Sequence, residues 1–279
     1  VKFASNYDLN VYRGCEHRCR YCFAQYSQKY LESDFFEDIY VKTNLAEVLD
    51  RELSRKSWKR EVINISGVCD CYQPLEGSYR LMPDILRVLI KHRNPVFLLT
   101  KSPLILRDYS LLEELSSKTQ VSVATTITTL DETIRQKIEP NACSSAERME
   151  MLREFTRLEC ETVVMLMPII PFLTDSRAGI EAIYEKCWTQ NLGRVIPGIL
   201  HLRGELKEFF YRFLGDEFPE VLPKIEKLYG GSYVSRKYSE ELEKFLRYIR
   251  TKYRFPRIIR KSSQEHKNCD TRQLSLFEN

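Results

Sequence analysis

Residues 12–26 read YRGCEHRCRYCFAQY, with Cys15, Cys19 and Cys22 in one short loop. A closed structural zinc or iron–sulfur site takes four ligands, so three thiolates in a C-x3-C-x2-C arrangement are one short. If the loop carries a cubane of four irons, Cys15, Cys19 and Cys22 hold three of them and the fourth stays open to a reactant. The other reading of the same spacing is a zinc loop completed by His17 or by a distant cysteine. A fourth ligand inside so tight a loop would be strained, and the elements that follow lack the rhythm of a zinc ribbon.

Those elements alternate. Short β-rich runs, LNVY (9–12), VINIS (62–66), PVFLLT (95–100), VSVATT (121–126), TVVMLMP (162–168) and RVIPGIL (194–200), mark out a βα rhythm. Between them LAEVLDRELS, LMPDILRVLIK, LLEELSS, AERMEMLREFTRL and GIEAIYEKCWTQ carry apolar residues at helical spacing. The pattern predicts an α/β fold, a partial (β/α)6 TIM-type barrel with outer helices, over residues 1–202. Working residues in such a barrel lie at the C-terminal ends of the strands, and the cysteine loop follows the first one. Residues 203–255 turn helical and read as a cap, and 256–279 as a flexible, basic and polar tail.

Composition narrows the class. The 279 residues are 43% hydrophobic and 29% charged, which suits a soluble globular chain with a large core. Lys and Arg exceed Asp and Glu by 43 to 39, too small an excess to announce a nucleic-acid binder by itself. There is no apolar run of about 18 residues and no charged-then-apolar leader, so no membrane partner is expected and the cytoplasm is the expected location. The start at Val1 suggests a trimmed end. Nine cysteines, an odd number scattered along a chain too long to need stapling, argue for reduced thiols over a disulfide framework.

The cysteine loop, placed after a first strand and ending in Cys-aromatic, resembles the signature of the radical S-adenosylmethionine (radical SAM) superfamily. YRGCEHRCRYCFA, DCYQPLE (70–76), LLTKS (98–102), TITTLD (126–131), IEPNACSSAERM (138–149), MPIIPFLTD (167–175) and YGGSYVSRKYS (229–239) are similar to the motif series of its spore photoproduct lyase-like branch, often labelled DNA repair photolyase. The resemblance implies a 4Fe-4S cluster on Cys15, Cys19 and Cys22, with SAM chelated by the open iron. It implies reductive cleavage of SAM to a 5′-deoxyadenosyl radical, fed by an electron donor such as flavodoxin or ferredoxin. It further implies that Lys101 reaches the SAM carboxylate, as a long cation suits. Thr126 stands where the family usually has a serine near SAM, and the loop beginning at Gly67 brings Cys69 and Asp70 to face it.

The departures carry information too. The lyase has a tyrosine on each side of the third cluster cysteine, one reading of which is a radical relay. Here Tyr21 is present and Phe23 replaces the second, and a phenyl ring has no phenolic hydrogen to give. The lyase's hydrogen-donating cysteine would fall near Gly67, so that donor is missing. Cys69 and Cys71 lie close enough in sequence to take over the task, or else fill space as buried thiols. A second cluster on Cys69, Cys71 and Cys143 is a further alternative, whereas Cys160 and Cys187 read as core.

The tail contains QLSLF, 273–277, which resembles the short peptide that attaches bacterial repair and replication proteins to the DNA sliding clamp. Gln273 would fix orientation while Leu274, Leu276 and Phe277 present apolar side chains to a pocket. Two basic stretches, RELSRKSWKR (51–60) with a stackable Trp58 and RFPRIIRK (254–261), are candidates to follow a phosphate backbone, or are solvated helix ends and linkers. The sequence thus points to a radical SAM enzyme acting on damaged or modified DNA and tethered to the clamp. Two alternatives remain: the same chemistry on RNA, a peptide or a small metabolite, or a clamp-tethered DNA-binding protein whose cluster is structural or redox-sensing.

Overall fold

The computed structural model describes residues 7–25 and 33–255. With elements numbered in chain order, β1 (Tyr7–Leu9), β4 (Ile63–Ile65), β5 (Val96–Leu99), β6 (Val121–Thr126), β7 (Glu161–Ile169) and β8 (Arg194–Ile199) form one six-stranded sheet. All neighbours are parallel and follow chain order, and the sheet stays open between β1 and β8. It is a partial α/β barrel, as its alternating pattern requires.

One expected strand is displaced. The run 9–12 does not form a single strand, because the ladder of β1 with β4 ends at Leu9. Tyr12–Arg13 (β2) instead pairs antiparallel with Tyr40–Val41 (β3), closing the cysteine loop at its base. Two short ladders stand where a continuous apolar pattern suggested one.

Helices α1 (Leu45–Leu53), α3 (Leu81–His92), α4 (Tyr109–Lys118), α6 (Ser145–Phe155) and α7 (Arg177–Thr189) cover the outer face of the sheet. Leu9, Ile65, Leu98, Val123 and Leu166 pack there against Leu49, Leu86, Leu112 and Leu152. Helix α6 starts at a capping box between Ser144 and Glu147, and α7 at a Ser176 cap. A short α2 (Glu76–Tyr79), a 3-10 turn at Pro103–Asp108 and α5 (Glu132–Ile138) complete the βα connections.

Strand alternation puts a second set on the concave face, where Phe97, Ala124, Val163 and Met165 pack with Leu99, Met167 and Ile196. At the N-terminal edge of that face Asn64 donates to Asp8, Ser122 donates to Glu161, and Arg194 pairs with Glu161. The three-helix extension divides its packing. Helices α8 (Leu206–Glu217) and α9 (Leu222–Leu228) build a separate core that includes Cys19 and Tyr21, whereas α10 (Arg236–Lys252) lies on α7 and the main core. At the far end of α7, away from the cysteine loop, Tyr184 and Trp188 meet Tyr253, and Tyr184 also meets Phe255. Among the described residues no helix is long and apolar enough to cross a membrane. The tail 256–279, with Gln273, Leu274, Leu276 and Phe277, lies outside the described residues.

Candidate active site at the cysteine loop

The loop that carries the thiols is held on three sides. Gly14 enters it at φ +89°, where a Cβ would meet Ile39 Cδ1 at 2.7 Å and the Phe35 and Asp38 carbonyls at 2.9 Å. Only glycine fits both the dihedral and the space. The Cys15 N–H donates to the Phe35 carbonyl at 3.1 Å, and the Arg20 N–H to the Ile138 carbonyl at 2.9 Å. From the third side Gln73 accepts the Glu16 N–H at 2.8 Å, and the Glu16 carboxylate accepts the Leu75 N–H at 2.6 Å.

The three thiols feel one another. Burial pushes Cys15 well up, and Asp70, Cys19 and Cys22 add to it. Burial also raises Cys19, to about 12, and Cys22. Lys101 opposes the rise at both Cys19 and Cys22, and Arg148 opposes it at Cys19 as well. Burial by itself would depress the Lys101 ammonium, but Cys19 and Glu139 hold it above its ordinary value. Its Nζ lies 5.9 Å from the Tyr21 ring centroid.

Asp70 ties the loops together. Its carboxylate accepts from Thr100 Oγ1 and the Lys101 N–H at 2.7 Å, from the Tyr72 N–H at 2.8 Å, and pairs with His17 Nε2 at 3.0 Å. Although burial would raise it, His17 and these donors hold the carboxyl down at about 2. Asp70 therefore reaches the site expected of it with both oxygens already engaged by the protein. The second nitrogen of His17 faces the Asn141 carbonyl at 3.4 Å, so neither ring nitrogen is turned to the thiols.

Two site residues carried no expectation from sequence. Tyr21 donates to Glu139, and Glu139 pairs with Arg148 at 2.5 Å, both charged groups being fully buried. Arg148 also donates to the Thr126 carbonyl at 2.9 Å and the Cys143 carbonyl at 2.6 Å. Glu139 and Arg148 sit in IEPNACSSAERM, so the motif was visible while its internal ion pair was not. Thr126, buried at the end of β6, shares the concave side with Ala124 by strand alternation.

The remaining thiols separate. Burial raises Cys69 to about 12, with Lys42 opposing the rise and Asp70 and Cys22 adding to it. Cys71 is fully buried, its N–H donating to Ser66 Oγ at 2.9 Å, and burial followed by Asp70 pushes its thiol well up. Cys143 donates its thiol to the Lys101 carbonyl at 3.0 Å, and Cys160 to the Phe155 carbonyl at 3.1 Å. Cys187 is buried in the core. Trp58 corrects an expectation: its indole N–H donates to Asn94 at 2.7 Å and its ring packs on Tyr7 at 4.8 Å, so the ring is a filler and not a free stacking face.

The donor set suits a cubane with one iron left open: the loop offers three thiols, one fewer than a closed site takes. His17, the nearest fourth donor in sequence, is committed to Asp70 and Asn141.

Comparison with known proteins agrees. Residues 9–182 match the Radical SAM superfamily, and the chain belongs to it. Over 253 residues it is 34% identical to an uncharacterized protein of Mycobacterium tuberculosis, covering 89% of this chain and 74% of that relative. Spore photoproduct lyase with bound S-adenosylmethionine and dinucleoside spore photoproduct has a similar fold, with TM-score 0.62 and 16% identity over 88% of this chain and 74% of that one. So does SuiB of Streptococcus suis bound to S-adenosylmethionine, with TM-score 0.55 and 13% identity over 89% and 48%. Membership brings with it a 4Fe-4S cluster and S-adenosylmethionine as cofactors.

Proposed function

We propose that Cys15, Cys19 and Cys22 hold the cluster, that Lys101 and Thr126 seat SAM, and that the enzyme acts on damaged or modified DNA. When bound, the cluster and SAM supply a carbon radical that takes a hydrogen atom from the substrate. The observation that carries the reading is Lys101, a half-buried ammonium kept charged beside Cys19, whose Nζ forms no ion pair with a carboxylate among the described residues. Such a cation suits an amino-acid carboxylate arriving next to the open iron.

The chain's own residues then have separable tasks. Asp70 positions Lys101 and His17 through hydrogen bonds, rather than touching the cofactor. Tyr21, bonded to Glu139, and Cys69, beside Asp70 in the loop after β4, are the candidates to relay or return a hydrogen atom. Cys71, deeper in the core, is the weaker candidate of the pair. An electron donor such as flavodoxin or ferredoxin is required, and the QLSLF tail (273–277) would hold the enzyme to the sliding clamp.

The DNA reading is supported by the motif series and by the dinucleoside spore photoproduct bound to the lyase that shares the fold. Its test is anaerobic. The reconstituted, reduced protein is mixed with SAM, with and without a panel of damaged DNA, and 5′-deoxyadenosine is quantified against Cys15→Ala. Release that rises with one DNA supports the reading, release indifferent to every DNA moves the substrate to another class, and no release from an intact reduced cluster defeats the enzyme assignment.

A further inference from the structure

The segment that follows β8 alternates. Leu200 and Leu202 are buried in the core that includes Cys19 and Tyr21, whereas His201 and Arg203 are exposed. The stretch YGGSYVSRKYS (229–239), which the cluster site does not use, holds this segment in place. The Tyr229 hydroxyl donates to the Leu200 carbonyl at 2.8 Å, and the Leu202 N–H donates to the Ser232 carbonyl at 2.9 Å. Lys207 Nζ closes the turn on the Tyr229 and Gly231 carbonyls, both at 3.3 Å. Two loops are thereby locked side by side.

The lock brings three polar side chains together at the surface. Arg203 donates to the Tyr233 hydroxyl, and its guanidinium carbon lies 5.3 Å from the centroid of that ring. The His201 ring meets Tyr233 edge-on, with centroids 4.8 Å apart. Tyr233 is still 50% exposed. Among the described residues neither Arg203 nor His201 forms an ion pair. The unneutralised charge is felt next door, where burial and Arg203 hold the His201 imidazole below its ordinary value. Helix α10 begins two residues after Tyr233, at the Ser235 cap, with Arg236 and Lys237 in its first turn and no acidic residue there. The positive end of the helix is thus reinforced at this corner.

The chemistry of the three side chains narrows what the corner can hold. Arg203 gives one N–H to Tyr233 and keeps the others, and the hydroxyl that accepts this bond keeps its own hydrogen to donate. The corner is therefore positive, rich in donors and flanked by an exposed aromatic ring. An acidic peptide would meet the charge and leave the ring unused. A nucleic-acid strand meets both, through phosphate oxygens that suit a guanidinium and a base that suits an aromatic face.

We propose that His201, Arg203 and Tyr233 dock a phosphodiester of a nucleic-acid strand, with Arg203 as the phosphate ligand and Tyr233 fixing its plane. The site lies just past the C-terminal end of β8, the outermost strand at the open side of the sheet, so a strand held there runs past the opening of the barrel. The proposal rests on the DNA reading and names how that substrate is gripped.

The full chain, cluster-loaded and anaerobic, is titrated with a short fluorescein-labelled single-stranded DNA over a series of salt concentrations, and anisotropy is read. Arg203→Gln should bind about tenfold more weakly than the parent and flatten the plot of log affinity against log salt by about 0.7, the share of one phosphate contact. Arg87→Gln, which removes the same charge from the outer helix α3, should leave both quantities unchanged. Both side chains are exposed, so both variants should unfold at the parent temperature. A labelled polyglutamate of equal charge should bind the parent more weakly than the DNA. Equal losses in the two variants, an unchanged salt slope in Arg203→Gln, or polyglutamate held as tightly as DNA would each overturn the proposal. A parent that binds no DNA at any salt defeats the DNA reading along with it. A parent that binds DNA while Arg203→Gln binds it equally well removes this site alone.

Discussion

The hydroxyl of Tyr21, in the middle of the cysteine loop, donates to Glu139, a carboxylate that approaches from the end of α5. Glu139 is in turn held by Arg148 from α6, so a buried ion pair anchors the loop from behind. Burial would push the Glu139 carboxyl up, but Arg148 and Lys101 hold it below its ordinary value. An ionised pair in the core is tolerated because Glu139 also accepts from the Tyr21 hydroxyl and Arg148 also donates to the Thr126 and Cys143 carbonyls.

Removing one partner should therefore be severe. Arg148→Met leaves a buried carboxylate without its guanidinium, and the chain should lose about 3–5 kcal/mol in urea unfolding. Iron content after reconstitution should fall with it, because Tyr21 loses its fixed acceptor. Full stability in Arg148→Met would show that the pair does not anchor the loop.

Asp70 gives the stability a pH dependence with a definite sign. Its folded-state value of about 2 lies below the unfolded value of about 3.9. Its contribution is thus fully present above pH ~4 and is lost as the pH falls from there toward 2. Comparing the parent with Asp70→Asn by urea unfolding between pH 7 and 3 should show a gap that narrows only at the acid end. A gap constant across that range would count against the assignment.

Gly14 tests the entry to the loop. Gly14→Ala meets backbone carbonyls at 2.9 Å and an unfavourable φ, so it should destabilise by more than about 1 kcal/mol and reduce iron loading. Gly77→Ala is the control, since nothing lies within 4 Å of its added Cβ. Equal behaviour of the two variants would remove the steric argument.

Lys101→Met keeps the length of the side chain and removes its charge. SAM affinity, read by equilibrium dialysis of the loaded protein, should fall about tenfold to hundredfold, while the ultraviolet-visible spectrum of the cluster stays that of the parent. Unchanged SAM binding would leave Lys101 as a counter-charge to Cys19 only.

Deletion of residues 273–279 should abolish capture of the protein by immobilised sliding clamp without altering its iron content. Undiminished capture would exclude QLSLF as the attachment point. The barrel and its chemistry would be untouched by that result.

How much of this was legible in the sequence depends on the range of the interaction concerned. Helices α1, α3 and α7 and strand β6 follow from their own periodicity, and the structure places them within a residue or two of expectation. The break after Leu9 was not legible, because Tyr12 takes its strand partner from Val41, across the whole cysteine loop. Helix α5 escaped because its seven residues directly follow the TITTLD turn, with Asp131 as cap. At the site, Cys15, Cys19, Cys22 and Lys101 declare themselves by type and spacing. The pairing of Glu139 with Arg148 does not, since charged residues on a helix usually face water and only tertiary packing reveals the exception.

The aromatic contacts at the base of α7 have one more consequence. Helix α7 starts at the sheet edge nearest the cysteine loop and ends at the other, where Tyr253 and Phe255 close over Tyr184. The described chain therefore departs from the back of the molecule.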